Sequence, residues 1–511
     1  MTGAGKYLPL FFVGLSALCR PSESRAQLTS HGFSAEDMAQ STEDARSYHS
    51  YPTYSQYLDI MNAFAKEYPQ LCRLDTFGIT PGGRLLLALN INTEGAVPDK
   101  TTKAGEPGCR ARFLYTSTMH GDELVGYVLL LRLADTLLSG YRQDPEITSI
   151  LDDLDIWINP LANPDGAYMA GDPESLEHAR RYNSAGVDLN RDFPDPGAAE
   201  PDQSAHRAPE TRDMMKFLHE HRFNLSANLH GGEEVVNYPW DHCYPRHADD
   251  AWFYFVSREY ADEARAVDPS YMAGFSDGVT NGAEWYIVRG GRQDYLTYYL
   301  QGREITLELS LEKFPPANEL NRFWNINYRP LINYMAQARY GVRGRVYSAG
   351  DGQALEARIY IPGHDRDSSA VFSNSKGIFH RYLSEGSYPL VASAPGYYND
   401  TLLVHVVDHQ RTEIDFELKA RKVKAKSREQ APALSLYPNP AGAQLIVEGS
   451  GLPPGDALLL IISREGRILR QEHLTGPKQS ISLSINDLPP GLFCLQLRYS
   501  NGVLHRKFIR R

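Results

Sequence analysis

The feature that most constrains this 511-residue chain is a pair of metal-ligand residue types at short spacing, followed by a third far along the chain. His120 and Glu123 stand three positions apart, and His230 follows 107 residues after Glu123. Two imidazoles and a carboxylate form a set that holds a catalytic zinc ion and leaves one coordination position for water. The fold is therefore expected to bring these three side chains to one Zn²⁺ ion. Because a His and a Glu at this spacing also occur on solvated helix faces, the short motif needs support from the rest of the chain.

The N-terminal residues have the pattern of an export signal. Lys6 precedes an apolar run from Tyr7 to Leu18, and Ser24-Arg25-Ala26 has the small-x-small pattern of a cleavage site. The sequence therefore predicts a signal peptide at residues 1–26 and a short N-terminal segment at 27–46.

Other residues bear on the cellular compartment. Cys19 leaves a lipoprotein signal open, although Leu18 occupies the position where a small residue is needed. No later stretch is long and apolar enough to span a bilayer, so we predict no transmembrane segment. The later cysteines show no paired spacing, so a disulfide framework is not expected and a single bridge stays open: Cys72, Cys109, Cys243 and Cys494.

Residues 47–340 alternate strand-like and helix-like segments. The apolar run Leu85–Ile91 is typical of a buried strand, and the run that begins at Leu124 has helical spacing. Alternation of this kind predicts an α/β domain with a parallel or mixed sheet. The three candidate ligands fall at predicted strand ends and in the loops after them, where open α/β sheets place their sites.

The pattern changes to short strands after residue 340. Residues 341–418 and 431–511 each predict a small all-β sandwich, because short apolar strands alternate there with Gly, Asp, Ser and Asn. Between them, residues 419–430 hold six Lys or Arg in twelve positions and no apolar pattern, which predicts an exposed basic linker.

The charge distribution excludes one class of partner. The net charge is −11, but residues 421–511 hold 14 Lys or Arg against 6 Asp or Glu, so the remainder carries −19. An acidic body attracts cationic peptides, although most such charge is solvated surface. The basic stretch has no interleaved aromatic residues, so no nucleic-acid binding is predicted.

Three polar residues extend the candidate zinc site. Glu308 alternates with apolar residues on a predicted strand, and a buried carboxylate needs a partner or a chemical task, such as acting as base for a metal-bound water. A structural ion pair is the alternative. Arg181 and Arg191 supply the planar fork that grips a carboxylate or a developing oxyanion, although each taken singly is typical of a surface salt bridge.

Longer motifs around these residues resemble those of the zinc carboxypeptidases, most closely the regulatory branch that includes carboxypeptidases E, N and D. The resemblance covers most of residues 47–420. It is carried by Asn159-Pro-Leu-Ala-Asn-Pro-Asp-Gly166, Val187-Asp-Leu-Asn-Arg-Asp-Phe-Pro-Asp195, Ala227-Asn-Leu-His-Gly-Gly232, Asn237-Tyr-Pro-Trp-Asp241, Asn281-Gly-Ala-Glu-Trp-Tyr286 and Glu308-Leu-Ser-Leu-Glu-Lys-Phe-Pro-Pro316.

The resemblance implies a role for each matching position. His120, Glu123 and His230 are implied as zinc ligands. Glu308 is implied as general base and proton donor, and Arg181 as the group that polarises the scissile carbonyl. The implied clamp on the terminal carboxylate of the substrate consists of Asn190, Arg191 and Tyr286.

The resemblance also implies selectivity for a basic last residue, with Asp241 and Gln293 in the pocket. An Asp at the base of a closed pocket pairs with Lys or Arg and is left unsatisfied by uncharged residues. The alternative is that Asp241 caps a turn after Pro239. Two positions depart from the pattern of the family. Asp192 replaces an Asn beside the clamp, and Arg289 replaces a Pro near the mouth of the pocket.

The two β regions resemble known modules. Residues 341–418 resemble the transthyretin-like module of the regulatory branch. Residues 431–511 resemble the C-terminal sorting domain of the type IX secretion system, through Leu436-Tyr-Pro-Asn-Pro440 and Leu488-Pro-Pro-Gly-Leu-Phe493. A permanent binding sandwich is the alternative for this last domain.

These inferences predict an α/β, mixed-sheet zinc carboxypeptidase domain followed by two small all-β sandwich domains. The expected activity is release of C-terminal Lys or Arg from peptides and proteins. The expected location is secreted or on the cell surface, reached through the periplasm and the outer membrane with the type IX machinery as partner. Two other functions stay open: a zinc amidase on cell-wall or other carboxylate-ended substrates, and an inactive peptide-binding surface protein.

Overall fold

The computed structural model describes residues 34–93, 110–169, 172–198, 206–421, 432–450, 455–464, 466–474, 480–500 and 502–511. The predicted signal peptide, Cys109 and residues 422–430 of the predicted linker lie outside them. The chain divides into two compact units, Met1–Ala420 and Arg421–Arg511, each described below by itself. A search of the described helices finds none with the length and apolar character to cross a membrane.

The first unit begins with an α/β part. Its helices are α1 Thr42–Ala45, α2 Tyr54–Glu67, α3 Val125–Gly140, α4 Pro145–Asp153, α5 Pro164–Ala167, α6 Pro209–His221, α7 Asp250–Val267, α8 Gly282–Trp285, α9 Arg292–Tyr299 and α10 Leu320–Ala336. Its strands are β1 Cys72–Ile79, β2 Leu85–Ile91, β3 Ala111–Ser117, β4 Leu154–Asn159, β5 Leu225–His230, β6 Glu233–Tyr238, β7 Val279–Asn281 and β8 Arg303–Ser310.

These strands form one mixed sheet in the order β1-β2-β4-β3-β5-β8-β6-β7. The central strands β4, β3, β5 and β8 run parallel to one another, and β7 pairs parallel with β6, whereas β1 with β2, β2 with β4, and β6 with β8 pair antiparallel. Strand β5 is buried along its whole length because helices cover both faces of the sheet. Helices α2, α3, α7 and α10 supply one apolar cluster, and α6 and α9 supply another. The predicted α/β fold with a mixed sheet is confirmed.

Two elements of the α/β part have misleading sequence patterns. Strand β1 lies at the edge of the sheet and is mostly half-buried, so it lacks the continuous apolar run of a central strand. Helix α9 is polar in sequence yet buries Arg292, Gln293 and Asp294. Arg292 is tolerated there because its Nε and Nη2 donate to the two carboxylate oxygens of Glu304 at 3.0 and 2.7 Å.

A β-sandwich completes the first unit. Its strands are β9 Gly341–Ser348, β10 Arg358–Tyr360, β11 Val371–Phe372, β12 Ile378–Arg381, β13 Gly386–Ser393, β14 Asp400–Val406, β15 Arg411–Glu413 and β16 Phe416–Leu418. One sheet has the order β11-β10-β13-β14, and the other has the order β12-β9-β15 with β16 also paired to β9. Inward-facing Val, Ile, Leu and Phe from both sheets form the core, including Val346, Ile359 and Phe416.

The second unit is all β and has its own core, in which Leu445, Leu459, Leu495 and Phe508 are buried. Its strands are β17 Ala433–Tyr437, β18 Gln444–Ser450, β19 Ala457–Ile462, β20 Ile468–Leu474, β21 Ser480–Ser484, β22 Gly491–Tyr499 and β23 Gly502–Arg510. They form two sheets, in the orders β17-β18-β21 and β20-β19-β22-β23. The predicted all-β character of both regions after residue 340 is thus confirmed. Among the described cysteines, Cys72, Cys243 and Cys494 are free thiols.

Candidate active site

The three predicted metal ligands meet at the carboxyl edge of the central strands. His120 and Glu123 lie in the turn between β3 and α3, and His230 is the last residue of β5. Because β3 and β5 are parallel neighbours, the segments that leave them emerge at the same edge. The turn requires Gly121, since a Cβ there would lie 2.2 Å from the backbone carbonyl carbon of Gly166.

The three side chains are buried and converge on a single point. The Nδ1 atoms of His120 and His230 each lie 2.9 Å from Oε2 of Glu123 and 3.1 Å from each other. Their possible ligand atoms all lie within 4.8 Å of one another. Two imidazole nitrogens and a carboxylate are a donor set that zinc prefers, so these residues fit the predicted ion.

The other ring nitrogens are held by neighbouring polar groups. Nε2 of His120 lies 3.2 Å from Oδ1 of Asp188, and Nε2 of His230 lies 2.5 Å from the side-chain amide of Asn228. Such outer partners fix the ring orientation of a metal-binding histidine and its tautomer. Both rings therefore present Nδ1 to the metal position.

The electrostatics of the cluster put His230 and Glu123 in metal-binding protonation states. Burial acts to lower the pKa of His120, but Glu123 and Asp188 hold it above its usual value, so a metal ion that binds there displaces a proton. Burial lowers the pKa of His230 to about 4, so its imidazole is neutral near pH 7. Burial acts to raise the pKa of Glu123, but the two histidines hold it well below its usual range, so the carboxylate is ionised. A neutral imidazole and an ionised carboxylate are the forms that bind a metal ion.

Glu308 lies beside the cluster. It stands on β8 in register with His230 on the neighbouring strand β5, and its side chain is half-buried. Burial, and then the charge of Glu123, raises the pKa of Glu308 well above its usual range. A carboxylate with a raised pKa beside a metal position is suited to exchange protons with a bound water.

Two cations lie beside Oε1 of Glu123. Nη1 of Arg181 lies 3.5 Å from Oε1 of Glu123, and Nζ of Lys313 lies 3.2 Å from the same oxygen. Nε of Arg181 also donates to Oδ2 of Asp188 at 2.8 Å, which fixes the guanidinium near the cluster. Positive charge at this position can stabilise a developing oxyanion.

The predicted carboxylate clamp lies on the loops above the cluster. Arg191 is exposed and interacts with the hydroxyl of Tyr286, which is 45% exposed. Oδ1 of Asn190 accepts a hydrogen bond from the backbone N–H of Arg292 at 2.9 Å. The structure thus brings Asn190, Arg191 and Tyr286 to one side of the predicted metal position.

The predicted pocket residues are in contact with each other. Asn237 and Gln293 donate side-chain N–H groups to Oδ1 of the buried Asp241, at 3.1 and 2.9 Å. Gly282 leaves room for this carboxylate, because a Cβ there would lie 1.7 Å from Oδ1. Burial, and then the charge of Asp294, raises the pKa of Asp241 well above its usual range.

The two departures from the family pattern are accommodated locally. Oδ2 of Asp192 accepts a hydrogen bond from the backbone N–H of Ala208 at 2.8 Å, at the start of α6. Nη1 of Arg289 lies 3.1 Å from Oδ2 of Asp195, so its charge is matched by a carboxylate.

Sequence reasoning assigned no role to Asp188, Asn228 or Lys313. All three lie inside motifs that carry the resemblance, and that is the signal that could have identified them. Asn228 is two residues before His230 on β5, so its side chain points to the same face. All ten predicted site residues, in contrast, gather around one cleft, and their chemical roles stay predictions.

Comparison with known proteins identifies the family. Residues 57–329 match the family model described as zinc carboxypeptidase, which spans more than half of the chain. The chain therefore belongs to the zinc carboxypeptidase family, and the predictions of a zinc metallocarboxypeptidase and of zinc as its cofactor are confirmed. Residues 435–511 match the model described as a secretion system C-terminal sorting domain.

Individual relatives agree with this assignment. The chain is 36% identical over 389 residues to carboxypeptidase D of Mus musculus, which covers 73% of this chain but 27% of that protein. It is 31% identical over 417 residues to the carboxypeptidase N catalytic chain of Homo sapiens, covering 74% and 89% of the two chains. The predicted relation to the regulatory branch is confirmed. The resemblance of the sandwich to transthyretin stays a prediction.

A solved structure shares the fold. The crystal structure of thrombin activatable fibrinolysis inhibitor aligns with a TM-score of 0.50 and 16% identity, over 60% of this chain and 78% of that chain.

The contact between His120 and Asp188 generates a prediction about metal affinity. Asp188→Ala removes the acceptor that orients the ring of His120, so zinc affinity should fall about 10- to 100-fold. His230→Ala, which removes a ligand, should abolish stoichiometric zinc binding. Competition with a zinc chelator measures both effects. The exposed Asp172→Ala is the matched control, and equal affinity of the Asp188 and Asp172 variants would contradict the orienting role.

Proposed function

We propose that this protein is a secreted zinc carboxypeptidase that releases C-terminal Lys or Arg from peptides and proteins. The proposed selectivity for basic residues rests on the burial of Asp241 and on its lack of a cationic partner within the part of the chain that the structure describes. Its carboxylate is buried and its closest donors are the neutral amides of Asn237 and Gln293. Among the described residues no Lys, Arg or His makes an ion pair with it. A substrate guanidinium or ammonium would supply the missing charge.

The other site residues support hydrolysis at a chain end. Arg191 and Tyr286 are placed to bind a terminal carboxylate, because a guanidinium fork and a hydroxyl both donate to carboxylate oxygens. An exposed position lets both side chains adjust to an incoming chain end. Recognition of both the carboxylate and the side chain of one residue confines cleavage to the last peptide bond.

His120, Glu123 and His230 would hold the zinc ion, which when bound acidifies a water and polarises a carbonyl. Glu308 takes the proton of the attacking water and later gives it to the leaving amine, for which its raised pKa is suited. Arg181, fixed by Asp188, stabilises the negative charge that develops on the carbonyl oxygen.

Two other functions are weaker. A zinc amidase on a different carboxylate-ended substrate would use the same clamp, but it has no need for a buried, uncompensated Asp241. An inactive binding protein usually lacks a ligand or the base, whereas His120, Glu123, His230 and Glu308 are all present.

Export through the type IX pathway is the proposed route to the outside. The match of residues 435–511 to a secretion sorting domain supports it. We infer that a signal peptide at residues 1–26 directs the chain to the periplasm and that the second unit then directs passage through the outer membrane. Removal of this unit within 419–430 is expected, because that stretch is rich in Lys and Arg and has no apolar pattern.

Glu308→Gln tests the proposed base. The amide keeps the shape of the side chain but cannot accept a proton, so kcat should fall at least about 10²- to 10⁴-fold while zinc stays bound. Steady-state kinetics and metal analysis of the same sample measure the two quantities. Near-normal turnover by the zinc-loaded variant would show that another group is the base.

Asp241→Ala tests the pocket. Loss of one partner of a desolvated charge pair costs about 2–5 kcal/mol, so kcat/KM on peptides ending in Arg or Lys should fall about 30- to several-thousand-fold. Peptides ending in Leu or Phe should be affected much less. Equal loss on all peptides would show that Asp241 is structural, and a wild-type preference for Leu or Phe would refute the basic selectivity.

Deletion of residues 431–511 tests the route of export. The deleted protein should stay in the cell envelope in an active form, because the zinc cluster and pocket lie in the first unit. The intact mass of the native secreted protein should place its C-terminus within 419–430. Normal secretion of the deleted protein, or a mature chain that ends at Arg511, would indicate a permanent binding module instead.

A further inference from the structure

We propose that Arg381 of the β-sandwich is a positioning residue for the pocket of the α/β part, which it reaches through Asp249. The inference rests on the proposed basic selectivity and assigns the sandwich a part in it. Arg381 is the last residue of β12, and Asp249 immediately precedes α7.

Asp249 joins the two parts of the first unit. Its Oδ2 accepts hydrogen bonds from Arg381 Nη1 at 2.5 Å and from Arg303 Nη2 at 2.7 Å. Its Oδ1 lies 2.8 Å from Arg381 Nη2 and 2.8 Å from Nε2 of His364. Arg303 belongs to the α/β part, whereas Arg381 and His364 belong to the sandwich. The side chains of Asp249, Arg303 and Arg381 are at most 1% exposed.

The positive and negative charges of the cluster are balanced, so its direct effect is to hold the two parts of the first unit together. Arg381 Nη2 also lies 2.6 Å from Oδ1 of Asp365, so two guanidinium groups face two carboxylates. Asp249, His364 and Asp365 have the spacing of a metal site, but both arginines already occupy the oxygens of Asp249. Because the side chains of Asp249, Asp365 and Arg381 are at most 2% exposed, a variant without Arg381 leaves one buried negative charge uncompensated.

One route from Asp249 to the pocket follows the loop between β6 and α7. The ring of His247 lies 4.9 Å from that of the buried Trp240, whose next residue is Asp241. Nδ1 of His247 accepts a hydrogen bond from the backbone N–H of Asp249 at 2.9 Å. From the sandwich, Arg366 Nη2 donates to the carbonyl of Arg246 at 3.0 Å. The far end of the loop that carries Asp241 is thus held by sandwich residues.

A second route follows β8, which begins at Arg303. Nη2 of Arg303 donates to the sandwich carbonyl of Ser369 at 2.8 Å as well as to Asp249. Three residues along β8, the hydroxyl of Thr306 donates to Oε1 of Gln293 at 3.0 Å. The amide of Gln293 then donates to Asp241 at 2.9 Å. Both routes end at Asp241, and neither passes through a proposed zinc ligand.

This arrangement predicts a selective defect. Movement of the loop and of β8 would displace Asp241 and Gln293 from a bound guanidinium, and an ångström-scale displacement costs up to about 100-fold. The zinc ligands lie after β3 and at the end of β5, and β8, which pairs with β5, carries Glu308, so any shift that reaches these residues should lower kcat on both peptides alike. Displacement of Asp241 and Gln293 adds a loss for Arg-ended peptides alone, so substitution of Arg381 should lower kcat/KM for Arg-ended peptides more than for Phe-ended peptides, with zinc content unchanged.

The experiment uses the first unit and second unit together, as the full chain with zinc bound. Arg381→Met, Arg381→Lys and His364→Ala are compared with Arg358→Met, a matched change at an exposed sandwich arginine that packs on Tyr360 at 4.5 Å. Kinetics on peptides ending in Arg or Phe are measured below the unfolding transition of each variant. Arg381→Met should lower the Arg-to-Phe ratio of kcat/KM about 10- to 100-fold, and Arg358→Met should leave it unchanged. Arg381→Lys and His364→Ala should give smaller shifts in the same direction.

The outcomes separate the inference from the proposed function. A wild-type enzyme with no preference for Arg over Phe refutes the basic selectivity, and this inference with it. If the wild-type enzyme prefers Arg and all three variants keep this preference while losing activity equally on both peptides, the role of Arg381 in the pocket is refuted. The proposed basic selectivity then stands, and the cluster is purely structural. If Arg381→Met does not fold, Arg381→Lys and His364→Ala decide the question by the same ratio.

Discussion

The site depends on one buried carboxylate, Glu123, placed between two imidazoles. A carboxylate at 3% exposure is stable only with matched charge or a metal ion beside it. His120 and His230 meet it because β3 and β5 are adjacent and parallel, so that residues 107 positions apart in sequence become neighbours. The helices that cover the central strands also exclude water from the cluster at the ends of these strands. The predicted Zn²⁺ is therefore part of what makes this edge of the sheet energetically acceptable.

Features that arise from local patterns could be predicted from the sequence. The run Leu85–Ile91 has the same bounds as β2, because a strand covered on both faces is apolar throughout. Spacing and residue type identified the three candidate ligands, and a resemblance in longer motifs pointed to Arg181, Asn190, Arg191 and Tyr286. The structure places all of them around one cleft, although only a measurement of function assigns their roles.

Features that arise from distant pairing could not be predicted. Helix α9 is polar, and its burial becomes understandable only when Arg292 is seen to pair with Glu304 on the neighbouring strand. The contact between Asp249 and Arg381 joins residues 132 positions apart and has no local signature. Asp188 also has no local signature, because its role depends on the contact with a ring nitrogen of His120, which is distant in sequence.

Charge compensation separates the structural from the functional polar residues of the first unit. Glu304 has Arg292, and Asp249 and Asp365 have Arg303 and Arg381, so these buried charges are satisfied within the protein. Asp241 and Glu308 differ, because burial raises the pKa of each carboxyl and no arginine pairs with either among the described residues. A carboxyl group with a raised pKa and no ion-pair partner is destabilising unless something outside the chain completes it. For Asp241 the completion that we propose is a basic side chain of the substrate, and for Glu308 it is the proton of a reacting water. In the arrangement that we propose, the charge-balanced cluster around Asp249 holds the loop that carries Asp241 and so keeps this carboxyl group in position for a basic substrate side chain.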